Sequence, residues 1–296
     1  MQMSRQRHSA SEEGYARRTR SLMTAIGHRL PCTALLLCTC FGHVLAIHAQ
    51  VQNFHNPQDL VRSMLDHERE SHRDRYEYLL NERSERTGGH LWTERVVETS
   101  VGHVRLLLAE DGKSLSAARE QQEHARLKDI AAHPDEFARS EQAQKNDEDH
   151  TRQMLDVLPR AFLLENVKLQ NGVWHIDFRP NPDYAPSGIE EHVLHGMTGW
   201  LAIDASDLRL VHIEGHLPEN VAIGFGLLAN IRSGSYFSTD RQLIEGHWRT
   251  VHILTDIRGK AALFKTVSRN SDLTRSEFHY LDPNITAVQA VALLEH

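Results

Sequence analysis

From residue 161 onward the chain takes up a period of two and keeps it, broken only by tight turns, almost to its end. In residues 173–179, VWHIDFR, Trp174, Ile176 and Phe178 point one way while His175, Asp177 and Arg179 point the other, the alternation of a half-buried strand. Asn171-Gly172 joins this strand to 162–170, and Pro180-Asn181-Pro182 ends it. After a short segment at 189–196 the same pattern predicts strands at 199–204, 208–216, 236–243, 247–256, 261–269 and 277–281. The turns expected between them are Ala205-Ser206-Asp207, Glu245-Gly246, Arg258-Gly259-Lys260 and Asn270-Ser271-Asp272. Strands in such close succession make an antiparallel meander, and a single sheet this wide must twist and curl.

The segment before the meander supplies helices. Asn56-Pro57 opens a helix, NPQDLVRSMLDHERESHR, with Asn56 as cap, Pro57 in the first turn and Leu60, Met64 and Leu65 as its apolar stripe. Residues 75–86 place Tyr76, Tyr78 and Leu80 against charges and predict a strand, Thr87-Gly88-Gly89-His90 a turn, and 91–110 one long strand or two broken at Gly102. Residues 116–160 shift to Ala, Gln, Glu, Arg and Lys, which predicts two helices broken around His133-Pro134, with a polar middle at 142–150 that reads as a solvated face. The fold class is therefore α+β: a curled antiparallel sheet, a half-barrel, with helices on its concave face and a charged helical excursion at about 114–160.

Compartment follows from cysteine. Cys32, Cys38 and Cys40 all fall in one apolar run at 30–47, preceded by six arginines and followed by Ala46-Ile47-His48-Ala49 and then Gln50. A basic stretch, an apolar core and a small residue before a polar start form a secretory signal peptide. The run is interrupted by Pro31, Gly42 and His43 and is shorter than a membrane span needs, so an inner-membrane signal anchor is the minor alternative. Residues 1–49 are read as a polar extension plus signal, with Met23 as a possible start, and 50–296 as one α+β domain. Cleavage after Ala49 leaves 247 residues without cysteine, carrying 27 basic against 38 acidic side chains. Thiol catalysis and thiolate metal sites are excluded for that product, and its acidic balance argues against a nucleic-acid partner.

A leader, a helix, two strands, a charged helical excursion and a meander carrying VWHIDFRPNP, GWLAID and GHWRTVHILTDIRGKAALF together resemble the exported outer-membrane lipoprotein carriers, the Lol-type superfamily with its sensor relatives. That resemblance implies a half-barrel whose apolar concave side is covered by helices and binds acyl chains. The longer excursion at 116–160 departs from the compact carriers.

No motif names a reaction. Seventeen of the 21 histidines lie after Ala49. His192 and His195 would share a helix face beside Glu191; His212, Glu214 and His216 alternate along one strand, and His175 and Asp177 along its neighbour. None of these is a metal signature such as HExxH, and scattered histidines on the polar side of a sheet are ordinarily surface. Gly-x-Ser-x-Gly is absent, and Gly224-Phe225-Gly226 lacks the third glycine of a dinucleotide loop. No cofactor and no catalytic residue is expected.

What remains is an apolar face formed by Trp174, Ile176, Phe178, Leu201, Ile203, Val211, Ile213, Val251 and Ile253, which share one parity of their strands. These nine either fill a core beneath the helices or line a cavity for an apolar ligand. The expectation is a periplasmic, non-enzymatic binding or carrier protein for lipid or lipoprotein acyl chains, with transient membrane contact and an envelope protein as possible partner. A surface interaction or sensor module with a filled core is the first rival, and a metal-assisted hydrolase the second. N-terminal sequencing of the exported protein should find a start near Gln50. An intact 30–47 segment would make the chain a membrane-anchored protein instead.

Overall fold

A computed structural model describes residues 56–70, 74–223, 229–261 and 265–296. The expected leader at 1–49 and the Gly224-Phe225-Gly226 turn lie outside the described residues. Helix α1 (Pro57–Glu70) begins where Asn56 Oδ1 accepts the Gln58 N–H at 2.9 Å, a side-chain cap on the first turn. Three strands follow, β1 (Arg75–Ser84), β2 (Trp92–Glu98) and β3 (His103–Glu110), then the short β4 (Lys113–Ser114). The charged excursion forms α2 (Ala117–Ala132), α3 (Pro134–Leu155) and the single turn α4 (Leu158–Ala161).

The meander then runs through β5 (Phe162–Gln170), β6 (Val173–Pro180), α5 (Ile189–His195), β7 (Thr198–Asp204), β8 (Leu210–His216), β9 (Val221–Ile223), β10 (Ala229–Ile231), β11 (Tyr236–Ile244), β12 (His247–Ala261) and β13 (Lys265–Leu281), and α6 (Ala287–Leu294) closes the order. Asn171-Gly172 and Glu245-Gly246 turn their hairpins with both residues at positive φ (51° and 79°; 51° and 82°), the pair of conformations a two-residue hairpin with right-handed twist needs.

All strands among the described residues belong to one antiparallel sheet ordered β4-β3-β2-β1-β13-β12-β11-β8-β7-β6-β5, with β10 and β9 branching from the end of β12. The last strand pairs with the first, Arg75 opposite Leu281 through to Ser84 opposite Ser271. The sheet does not close, since β4 and β5 stand at its two ends.

Two of the expected turns are strand interior. Arg258-Gly259-Lys260 stays in β12, paired with Ser268, Val267 and Thr266. There Gly259 serves a close approach: a Cβ on it would sit 2.4 Å from Ile231 Cδ1, so glycine lets β10 lie against β12. Asn270-Ser271-Asp272 stays in β13, opposite Asp256, Thr255 and Leu254 on one side, with Ser271 and Asp272 also opposite Ser84 and Arg83 on the other. With partners on both edges, the ladder satisfies the backbone that a lone polar run would have turned toward water.

The core is divided. Leu60, Val61, Met64 and Leu65 of α1 pack with Leu158 and Ala161 onto Phe162, Ile176, Phe178, Leu201, Ile203 and Ile213 of β5–β8. The C-terminal end of α1 is fastened by charge, with Glu68 accepting from the Leu210 N–H at 2.9 Å and pairing with Arg241. A second cluster joins Val97 and Val104 to Leu127, Phe137 and the α6 side chains Ala290, Val291 and Leu294. Since Val97 and Val96 alternate in β2 and only Val96 packs with Tyr78 and Leu80, α6 covers the opposite face of the sheet. Phe178, 3% exposed, meets Phe162 edge-on at a centroid distance of 5.0 Å. Phe178→Ala should cost about 3–5 kcal/mol in denaturant unfolding, the range for a truncated core aromatic. A loss under ~1 kcal/mol would mean that the side chain borders empty space.

Candidate functional site

The nine apolar residues singled out from the sequence do not form one site. Ile176, Phe178, Leu201, Ile203 and Ile213 lie fully buried under α1, and Trp174 packs on the rim of that cluster with its indole Nε1 buried and without a hydrogen-bond partner. Val211 drops out because the β7–β8 register slips after Ala202, so that Leu210 stands opposite Ile203 and takes the core position. Val251 drops out for the same reason: the β11–β12 register slips after Asp240, and Val251 packs instead beside Tyr76, Tyr78 and Leu80. One-residue slips of this kind are invisible to parity counting. Ile253 keeps its parity and lines a chamber.

That chamber lies on the α1 face, past the reach of α1. Directly paired residues share a face, so one row crosses the sheet as Ile176, Leu201, Ile213, Thr239, Ile253, Leu273 and Glu82. The first three are core under α1, whereas the last four floor a space of about 840 Å³. The neighbouring row runs Phe178, Gly199, Gly215, Phe237, Thr255, Ser271 and Ser84. Gly215 is required there, because a Cβ on it would meet Phe237 Cε1 at 2.7 Å. The first row stays largely apolar as far as Leu273 and ends on the carboxylate of Glu82, while the second passes from Phe178 and Phe237 to the hydroxyls of Thr255, Ser271 and Ser84.

The charged wall is built on the β1–β2 turn. Arg86 reaches two buried carboxylates at once, donating from Nε to Glu82 Oε2 at 3.1 Å and from Nη1 to Glu94 Oε1 at 3.2 Å. Burial alone would raise the Glu82 pKa, but hydrogen bonds from Arg86 and Ser84 outweigh it and hold the carboxyl below the ordinary carboxylate range. At the next corner His103 is pushed down to a pKa of about 3, first by burial and then by the charges of Arg105, Arg275 and Arg75. It is a neutral imidazole. Gln144 of α3 lies 2.8 Å from its Nδ1, Glu141 accepts its backbone N–H at 3.0 Å, and Arg105 donates to Gln144 Oε1 at 3.1 Å. These polar contacts hold the middle of α3 over the sheet.

The other histidines are engaged elsewhere. On α5, His192 Nδ1 lies 2.7 Å from the Gly188 carbonyl and His195 Nε2 lies 2.9 Å from that of Asn181, so the two are not presented to a shared ligand. Hydrogen bonds from the Ser187 side chain, Tyr184 and the Ser187 backbone hold the Glu191 carboxyl at a pKa of about 2. On the face opposite the chamber, His212 Nδ1 meets Asp240 at 2.6 Å, and His252 lies 3.4 Å from Asp240 and 2.9 Å from Asp272. Trp200 stacks on His212 at 4.3 Å and on His175 at 5.6 Å, and donates to Glu214 at 2.8 Å. Among the described residues no group of three or more His, Cys, Asp or Glu could hold a metal ion. No helix among them is long and apolar enough to cross a membrane.

The charged wall escaped the reading of sequence, though a signal was present. Glu82 continues the buried parity of Tyr76, Tyr78 and Leu80, and a carboxylate on the inward side of a strand demands a partner. Comparison with known proteins returns no matching family model, no similar curated protein and no matching solved structure.

Arg86 is 37% exposed, so its loss should cost about 3 kcal/mol at pH 7, the low end for breaking a buried pair. The depressed Glu82 pKa means that its pairing stabilises the fold above the ordinary carboxylate pKa and is lost as pH falls below it. The stability gap between wild type and Arg86→Met should therefore narrow from pH 7 towards pH 4, measured by urea unfolding. A gap independent of pH would show that Arg86 acts through packing alone.

Proposed function

We propose that this protein is an exported, non-enzymatic binding or carrier module for lipids or lipoprotein acyl chains, acting in the periplasm or outer cell envelope. In this reading the sheet curls into a half-barrel of the lipoprotein-carrier type, and its concave side is the one that bears the chamber. The observation that carries it is the chamber: about 840 Å³, within the range of small-ligand sites, with Phe237, Ile253 and Leu273 at one flank and Arg275, Arg86 and His103 at the other. A wall that grades from apolar to charged matches a molecule that does the same. Such a ligand needs binding and release, and no nucleophile or metal. The packing of five of the nine expected ligand residues under α1 supports a second reading, an envelope interaction or sensor module with a filled core.

Binding of the neutral dye N-phenyl-1-naphthylamine, displaced by a fatty acid, tests the first reading. Ile253→Trp should narrow the apolar end of the chamber and weaken dye uptake with little change in melting temperature. The matching change under α1, Ile203→Trp, should instead overpack the core and cost roughly 1–3 kcal/mol. A wild type that takes up no dye would leave the filled-core reading standing.

A further inference from the structure

Past His103 the charged wall of the chamber continues into a smaller hollow of about 420 Å³. The two share Glu98, His103, Gln144 and Arg152 as walls, so they are adjoining compartments. Four cations face the hollow (Arg75, Lys145, Arg152 and Arg249) against three acids, Asp74, Glu98 and Glu141.

Two of the acids have partners of their own, and for Asp74 one of these is Arg249. Glu141 accepts from the His103 backbone at 3.0 Å and lies 3.7 Å from Arg105. Asp74 is divided between Arg249 and His247, both at 3.3 Å, and the Tyr76 hydroxyl at 3.4 Å. Arg249 lies against the face of Tyr76, 3.4 Å from the ring centroid, and its Nε is buried without a hydrogen-bond partner. Arg105, which borders the same His103, has its Nε in the same condition. A buried guanidinium N–H with no acceptor is costly, and an oxyanion is the group that matches its planar fork. Burial lowers the Arg249 pKa, and His103 is lowered by burial first and then by Arg105, Arg275 and Arg75, the last of which lines the hollow.

We propose that this hollow receives the oxyanion head, phosphate or carboxylate, of an amphiphile whose apolar part lies in the chamber. The proposal rests on the binding reading above and adds the sign of the ligand's charge to it. Arg249 is the specificity-determining residue, and Lys145, whose side chain is exposed at the mouth, is an electrostatic contributor.

Four amphiphiles of matched chain, lysophosphatidic acid, palmitate, lysophosphatidylcholine and hexadecyltrimethylammonium, would be competed against N-phenyl-1-naphthylamine below their micelle concentrations. Inorganic phosphate serves as the head without a tail. The two anions should bind about tenfold tighter than the choline lipid, the order of one charge-assisted hydrogen bond, and the cation weakest. Which anion binds tighter assigns the head as lipid phosphate or free carboxylate. Arg249→Gln should erase the preference while dye uptake persists. Should that variant fail to fold, Lys145→Gln should still lower anion affinity about twofold to threefold and flatten its salt dependence. Equal affinity for all four heads would overturn the oxyanion site and leave the carrier reading intact. Stabilisation by phosphate that Arg249→Gln abolishes, with no uptake of dye or amphiphile, would uphold the oxyanion site and overturn the carrier reading. No response to any of them would overturn both.

Discussion

The pairing of the last strand with the first holds this architecture together. β13 lies antiparallel to β1 from Leu281 opposite Arg75 to Ser271 opposite Ser84, joining segments almost two hundred residues apart. Without it there would be a four-stranded stack, β1 to β4, at one end and a meander at the other, each with an open edge exposed to pairing with other chains. With it, the charged wall on β1–β3 and the apolar floor on β11–β13 become parts of one surface. The chamber exists only because this contact forms. The loop-closure entropy of so long a connection must be met before the pairing rewards it, which raises the contact order of the fold.

The second constraint is that α1 is too short for the sheet it covers. Its stripe of Leu60, Val61, Met64 and Leu65 reaches Ile213 on β8, and its charged end, Glu68, is anchored at Leu210 and Arg241. Beyond that anchor the covering element is α3, whose middle meets the sheet through Glu141 and Gln144 rather than through apolar side chains. A dry helix seals the part of the sheet that carries aliphatic residues, and a polar helix covers the part that carries charges. The space lies where the two covers fail to meet.

Most of the fold was legible because strands and turns write themselves locally. The alternation in 75–84 and 173–180, the Asn171-Gly172 and Glu245-Gly246 hairpins and the break at His133-Pro134 each depend on a few neighbouring residues. What was not legible depends on distant partners. Gly259 looks like a turn until β10 is seen lying on it, and Asn270-Ser271-Asp272 looks like a turn until both of its neighbours are in place. Val211 leaves the core where the β7–β8 register slips, and Val251, at the β11–β12 slip, packs with the Tyr76, Tyr78 and Leu80 cluster instead of the α1 core. Of the nine apolar residues read from the sequence, Ile253 lines the chamber and six belong to the core under α1 or its rim.

The charged half was missed because composition averages it away. A chain with 40 acidic and 33 basic residues offers ion pairs everywhere, and nothing in their number marks Glu82, Glu94 and Arg86 as buried. Only position does: a carboxylate at the fourth inward place of β1 cannot remain there unpaired. Once Glu82 is placed, its partner must come from the following turn, and Arg86 also reaches Glu94 on the next strand. A buried group of two carboxylates and one guanidinium is a poor way to gain stability compared with apolar packing. Its place on the face that also carries Arg105, Arg249 and Arg275 is one that the proposed polar-headed ligand would require.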